Sequence, residues 1–200
     1  ACQRAGLATE SVIAVLEEND ANAVLQDTPD SLLNASLTEL TNHIEQTHHA
    51  YLKTELPRLE SLARKVARVH ACKDSRLVEV EAVFSAMKQE IEQHTMKEEN
   101  ILFPYIRQLD RGQYLSKAPF GSVENPVRCM ESEHNDTGEA LLKLRYLTDQ
   151  YLAPEGACTS WLALLAGLAH LDQDLRTHIH KENSILFPKA IQAENANRCR

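Results

Sequence analysis

Two stretches of the chain carry a histidine and a glutamate four residues apart, and each pair is followed by the same Ile-Leu-Phe-Pro. The first runs His94-Thr-Met-Lys-Glu98-x-x-Ile-Leu-Phe-Pro104, and the second runs His178-Ile-His-Lys-Glu182-x-x-Ile-Leu-Phe-Pro188. In a helix, residues four apart are neighbours on one face, so each pair can present an imidazole beside a carboxylate. Imidazole and carboxylate together, without a thiolate, suit iron or manganese and argue against a structural zinc site.

The two pairs interrupt an otherwise apolar seam. Core-type residues are spaced alternately by four and three, as on the inner face of a bundle helix. They are Val80, Phe84, Met87, Ile91 and Ile101 around the first pair, and Leu164, Leu168, Leu171, Leu175 and Ile185 around the second. Because an unpartnered buried carboxylate costs several kcal/mol, two such carboxylates favour a bound cation over two simple His–Glu hydrogen bonds.

The seam recurs 84 residues further along the chain, which is an internal repeat. Each half then forms one helical hairpin, and the predicted fold is an all-α, antiparallel four-helix bundle of two pseudo-symmetric hairpins. Bundle helices are expected at about 31–70, 75–104, 127–150 and from after the turn at 154–156 to 188, with Pro57 kinking or dividing the first. Residues 1–20 predict a further short N-terminal helix.

The other two helices are expected to supply ligands at the same depth. The third helix offers His134, and the first offers both His48 and His49. Periodicity does not choose between them, because Leu37, Leu40, Ile44 and Tyr51 favour His48 whereas Leu52, Leu56 and Leu59 favour His49. The repeat favours His49, since His134 precedes His178 by 44 residues and His49 precedes His94 by 45.

The remaining histidines receive weaker interpretations. His70 lies 21 residues beyond His49, which is about 31 Å along a continuous helix, so we assign it to the far end of the bundle. His43, His170 and His180 are expected on the surface or behind the ligands. Acidic residues beside the ligands, including Glu99, Glu131 and Glu133, are interpreted as a solvated helix face or as an exit route for cations.

Composition limits the function further. A net charge of −8 and a pI near 5.6 argue against nucleic-acid binding. No apolar run approaches the roughly 18 residues of a membrane span. The five cysteines are scattered without a C-x-x-C pair, which argues against a disulfide framework and predicts the reducing cytoplasm.

These motifs resemble the hemerythrin-like di-iron proteins, specifically the bacterial family that repairs damaged iron–sulfur clusters. The resemblance covers nearly all 200 residues and includes Glu55-Leu-Pro57, Val69-His70 and Val127-x-x-Met-Glu-Ser-Glu-His134. By this resemblance, residues 1–28 are the remnant of a small N-terminal helical domain plus linker, and residues 29–200 are the di-iron bundle. It implies two non-haem iron ions, oxo- and carboxylate-bridged, held by His49, His94, Glu98, His134, His178 and Glu182.

The resemblance also implies the function. The expected role is repair of iron–sulfur clusters after oxidative or nitrosative stress, by supplying iron or handling NO at open coordination positions. Expected partners are damaged iron–sulfur proteins, the small ligands NO, O₂ or peroxide, an unidentified electron donor and a second copy of the chain. An enzyme that reduces NO to N₂O is the alternative, and a reversible O₂ carrier is disfavoured by the ligand count.

Overall fold

The computed structural model describes residues 29–113 and 118–198. Contacts divide the chain into two units, Ala1–Ser36 and Leu37–Arg200. In the first unit, the structure describes one short helix, α1 (Pro29–Asn34). The helix predicted within residues 1–20 lies outside the described residues, and the domain boundary at residue 28 stays a prediction.

In its described residues, the second unit forms four bundle helices, three of which contain a π-helical turn. The first consists of α2 (Leu37–Ile44), a π-helical turn (Glu45–His49) and α3 (Ala50–His70). The second consists of α4 (Arg76–Lys97), a π-helical turn (Glu98–Leu102) and α5 (Phe103–Asp110). The third is α6 (Glu124–Leu147), and the fourth consists of α7 (Thr159–Lys181), a π-helical turn (Glu182–Leu186) and α8 (Phe187–Arg198).

The four bundle helices follow one another along the chain as two helical hairpins, residues 37–110 and residues 124–198. α3 packs against α4 and α7, and α4 packs against α6. The described residues contain no strand, so the predicted all-α bundle is confirmed. None of the described helices is long and apolar enough to cross a membrane.

The apolar seam has the predicted register up to each glutamate and then shifts by one residue. Every seam residue from Val80 to Glu98 and from Leu164 to Glu182 is buried. The predictions for Ile101 and Ile185 are wrong: Ile101 is 52% exposed and Ile185 is half-buried, whereas Leu102 and Leu186 are buried instead. A π-helical turn holds more residues than an α-helical one, so the turn that begins at each glutamate moves the core face by one position.

Several predicted helix ends are also corrected. The first bundle helix begins at Leu37 rather than near residue 31, and α3 continues through Pro57 without being divided there. The second and fourth bundle helices run past Pro104 and Pro188 to Asp110 and Arg198. These two prolines are the second residues of α5 and α8, and proline is tolerated in the first turn of a helix.

Two carboxylates, 84 residues apart in sequence, each join the two ends of one hairpin by hydrogen bonds. Asp110, at the end of α5, accepts hydrogen bonds from the backbone N–H groups of Leu37 and Thr38, at 3.3 and 3.1 Å. Glu194, in α8, accepts one from the backbone N–H of Val123 at 2.9 Å, just before α6. Each carboxylate therefore caps the first helix of its own hairpin, where backbone N–H groups lack intrahelical partners.

Candidate metal centre

The six predicted ligand residues come together in the structure, at the level of the π-helical turns. All six are buried, and the side chains of the two glutamates are fully so. His49 ends one π-helical turn, and Glu98 and Glu182 begin the other two. Such turns occur frequently at functional sites. The six residues are His49, His94, Glu98, His134, His178 and Glu182.

Glu98 lies between the two histidines of the first hairpin. Its Oε2 is 3.3 Å from His49 Nε2, and its Oε1 is 3.3 Å from His94 Nε2. One carboxylate therefore faces two imidazoles with two different oxygens, which is the arrangement of a bridging ligand.

Glu182 has the same place in the second hairpin. Its Oε1 is 3.0 Å from His178 Nε2, and its Oε2 is 3.2 Å from His134 Nε2. The Nε2 atoms of His134 and His94 are 3.1 Å apart, so the two hairpins meet at these imidazoles.

The donor atoms form two overlapping sets of four, and within each set all atoms lie within 4.8 Å of one another. Glu98 and Glu182 belong to both sets. Each set takes one histidine from each hairpin, so neither hairpin completes a set alone. The sets are His49, Glu98, His178 and Glu182, and His94, Glu98, His134 and Glu182.

Polar residues next to the ligands in sequence orient two of the imidazoles from outside. Glu99 Oε1 lies 2.9 Å from His49 Nδ1, and Asn183 Oδ1 lies 2.9 Å from His134 Nδ1. Glu99 and Asn183 are 84 residues apart and each follows a shared glutamate, so the repeat extends to them. An acceptor on Nδ1 fixes the ring and leaves Nε2 free to bind a cation.

The other two imidazoles break the pseudo-symmetry. Glu133, just before His134, has its Oε2 2.8 Å from His94 Nδ1. The corresponding residue before His49 is His48, which stacks on His178 with ring centroids 5.1 Å apart. Within the described part of the chain, His178 Nδ1 has no hydrogen-bond partner.

Glu99 and Glu133 each bind an imidazole and a lysine instead of lying on a fully solvated face, whereas Glu131 is exposed. The exit route for cations stays a prediction. Burial would raise the pKa of each carboxyl, but Lys53 beside Glu99 and Lys97 beside Glu133 lower it, helped by the neighbouring imidazoles. Sequence reasoning missed their orienting role. Their positions directly beside predicted ligands were the available signal.

The shared carboxylates have unsatisfied hydrogen-bonding capacity. Among the described residues, no hydrogen bond reaches either oxygen of Glu98 or Oε2 of Glu182, and His49 Nε2 is equally without a partner. Buried polar groups are almost always hydrogen-bonded. A cation bound at this point would therefore satisfy the unpaired oxygens and the inward-facing imidazole nitrogen.

The charges of the site point the same way. Burial alone would lower the pKa of His49 and His94, yet the adjacent Glu98 reverses this and raises the pKa of His94 to about 9. Burial would raise the pKa of Glu182, but the His178 and His134 imidazoles hold it well below its usual range. A metal cation bound between the imidazoles and the carboxylates would supply compensating positive charge at the same place.

The remaining histidines lie outside both donor sets. His70, at the end of α3, has its Nε2 3.1 Å from Cys158 Sγ. His170 is exposed and binds the Tyr51 hydroxyl, and His180 is exposed and binds Ser184.

A cluster that the sequence did not predict lies beside the centre, behind His178. His48 is buried, with its Nδ1 2.8 Å from Asp174 and its Nε2 3.0 Å from the buried Lys181 Nζ. Lys181 also lies 3.0 Å from Nε2 of the half-buried His43. Burial lowers the pKa of His48, against the effect of Asp174.

Known proteins are similar to this chain over most of its length. Residues 40–190 match the hemerythrin HHE cation-binding domain. The chain is 37% identical over 192 residues to the iron-sulfur cluster repair protein YtfE of Edwardsiella ictaluri, covering 94% of this chain and 82% of that protein. It is 36% identical over 191 residues to the protein of the same name from Escherichia coli O157:H7, covering 96% of this chain and 83% of that protein.

A third relative, from Enterobacter sp., carries the same name and is 35% identical over 192 residues, covering 96% of this chain and 83% of that protein. The domain match spans all six buried residues of the centre. The resemblance inferred from the motifs is therefore confirmed, and the chain belongs to the hemerythrin HHE cation-binding family, together with the bacterial iron–sulfur cluster repair proteins.

Proposed function

We propose that this chain repairs iron–sulfur clusters damaged by oxidative or nitrosative stress, and that it does so with two non-haem iron ions. The observation that carries the proposal is the sharing of Glu98 and Glu182 between two buried donor sets. Relatives of 35–37% identity are named iron–sulfur cluster repair proteins, which supports the same role here.

In this proposal each residue of the centre has a defined task. His49 and His178 would hold one ion, His94 and His134 would hold the other, and Glu98 and Glu182 would supply carboxylate oxygens to both. Bound there, a pair of iron ions would supply Lewis-acid and one-electron redox chemistry. Four protein donors per ion leave room for a small ligand such as NO, O₂ or peroxide.

The second hairpin provides a route between the centre and the surface. A groove of about 820 Å³ between α6 and α7 is lined by His134, Ile179 and Asn183. The Asn183 side chain that orients His134 therefore also borders this groove. A rotation of this pair would open one donor set to a client protein, and we propose this side for iron delivery.

An iron-transfer assay tests the proposal. The protein is loaded with a stable iron isotope and mixed, anaerobically and with a reductant, with an iron–sulfur protein whose cluster NO has damaged. We expect the cluster absorbance of the client to return and the isotope to appear in it. Retention of both irons by the chain, with no recovery of the client, would contradict the repair function.

Reduction of NO is a second candidate, for which a small cavity beside the imidazoles offers space for one ligand. This cavity of about 10 Å³ is lined by His94, His134 and His178 together with aliphatic and threonine side chains, and it has room for about one water-sized molecule. Two NO molecules would take up two electrons and two protons to give N₂O and water. Adding NO to the reduced, iron-loaded protein should then release N₂O, and consumption of NO without N₂O would reject this candidate.

A further inference from the structure

A thiol and an imidazole form a close pair at the loop between α6 and α7, where α3 ends. Cys158 Sγ lies 3.1 Å from His70 Nε2. The thiol is exposed, whereas His70 is buried and packs against the Trp161 ring at 5.1 Å. His70 lies 21 residues beyond His49 on the first bundle helix, which is about 31 Å, so the pair is separate from the metal centre.

The backbone places the thiol where negative charge is favoured. Cys158 is the N-cap of α7, in an extended conformation, and its side chain makes no capping hydrogen bond. Sγ therefore remains directed at His70 instead of at the helix backbone. The N-terminus of a 23-residue helix stabilises a nearby anion, and cysteines at helix N-termini or beside a histidine favour the reactive thiolate.

Space beside the sulfur is available for a reactant. A cavity of about 40 Å³ borders Cys158 and His70 and is also lined by Lys65 and Ser160. The Lys65 ammonium group and the Ser160 hydroxyl thus border this cavity. The nucleophile, the base and the approach path are present together, as in cysteine–histidine pairs that perform covalent chemistry.

Another exposed cysteine has the opposite environment and serves as an internal comparison. Cys129 Sγ lies 3.5 Å from Glu133 Oε1. Burial and the Glu133 carboxylate both raise the pKa of the Cys129 thiol, so this thiol is poorly nucleophilic at neutral pH.

We infer that Cys158 is a site of thiol–disulfide exchange with low-molecular-weight disulfides, activated by His70. His70 takes the thiol proton, and the Cys158 thiolate attacks one sulfur of the disulfide. A Cys158–S–S–R bond forms as the R–S–S–R bond breaks, and the departing R–S⁻ takes the proton from His70. The small disulfide is the oxidant, and the product is a chain that carries a reversible mixed disulfide far from its metal centre.

Peptide mapping of the metal-loaded, full-length protein tests this inference. The protein is incubated with oxidised glutathione at neutral pH, quenched with acid at intervals and mapped by mass spectrometry without reduction. We expect the mixed disulfide on Cys158 to form at least about tenfold faster than on Cys129. Equal rates at the two cysteines would overturn the inference, and this comparison needs no variant.

Two variants assign the effect to the pair. His70→Gln should slow modification of Cys158 by about tenfold and leave Cys129 unaffected, with an unchanged circular dichroism spectrum as the control for folding. Cys158→Ser should remove the fast-reacting position. An undiminished rate at Cys158 in a folded His70→Gln variant would show that the imidazole does not activate the thiol.

Discussion

The Glu98→Gln substitution keeps the shape of a buried side chain and removes one charge from the proposed metal centre. Glu98 is the one first-hairpin carboxylate that both donor sets share. A glutamine amide offers one oxygen instead of two, so at least one set keeps only three of its four donors. We expect the variant to lose at least one of two bound metal ions. A fall in affinity on the order of 100-fold corresponds to about 2.8 kcal/mol, at about 1.4 kcal/mol per factor of ten.

A second buried glutamate, outside the centre, provides the matched control. Glu194 accepts hydrogen bonds from the Tyr105 hydroxyl, the Ser122 hydroxyl and the Val123 backbone N–H, at 2.7, 2.7 and 2.9 Å. Arg198 also lies 3.3 Å from Glu194 Oε2. In either orientation, the amide NH₂ group that Glu194→Gln introduces would face a group that can only donate, the Val123 N–H or the Arg198 guanidinium. This substitution should cost about 2–3 kcal/mol of unfolding free energy and leave the metal content unchanged.

The two variants are compared by metal analysis after identical loading and by urea unfolding with and without metal. A bound metal stabilises the folded state in proportion to its affinity. Glu98→Gln should therefore lose most of the metal-dependent stabilisation, whereas Glu194→Gln should lower both unfolding curves alike. Full metal content in Glu98→Gln, or equal metal loss in both variants, would refute the assignment of Glu98 as a shared ligand.

Two further predictions concern the bundle itself. Asp172→Asn removes a buried carboxylate bound by Arg145 and Arg176 and should cost about 2–3 kcal/mol in urea unfolding. Burial would raise the pKa of Asp172, but the arginines lower it. The Asp172 carboxylate therefore stabilises the fold above its unfolded-state pKa of about 3.9, and this stabilisation is lost as the pH falls through the lower folded-state pKa. The difference in unfolding free energy between wild type and variant should vanish in acid. Gly167→Ala puts a Cβ 2.5 Å from Leu59 Cδ2 and should destabilise by about 1–3 kcal/mol. Gly138→Ala meets no atom within 4 Å and should stabilise by about 0.5–1 kcal/mol, and thermal melts that reverse this order would contradict the packing of α7 on α3.

The sequence was sufficient for the fold class because a repeat supplies two independent copies of one pattern. The apolar spacing that leads to Glu98 and to Glu182 determines which face of each helix is buried, and both copies agree. The same agreement predicted that the four imidazoles lie at one depth. Periodicity in steps of four and three assumes an unbroken α-helix, so it could not predict the shift that places Leu102 and Leu186 in the core.

The conflict between His48 and His49 has the same physical origin. Leu37, Leu40 and Ile44 precede the π-helical turn and favour His48, whereas the core leucines after it favour His49, and both histidines are buried. Tyr51, whose spacing also favours His48, follows the turn and is only half-buried. Two incompatible registers within one helix can therefore indicate a π-helical turn. Nothing in the spacing indicated that His48 would pack on His178 instead of orienting it.

Anomalous X-ray diffraction from crystals of the iron-loaded protein, measured on both sides of the iron absorption edge, tests the proposed metal centre most directly. Two iron peaks are predicted between Glu98 and Glu182, one contacting His49 and His178 and the other contacting His94 and His134. A single peak, a peak that persists below the iron edge, or iron bound away from Glu98 and Glu182 would contradict the di-iron assignment.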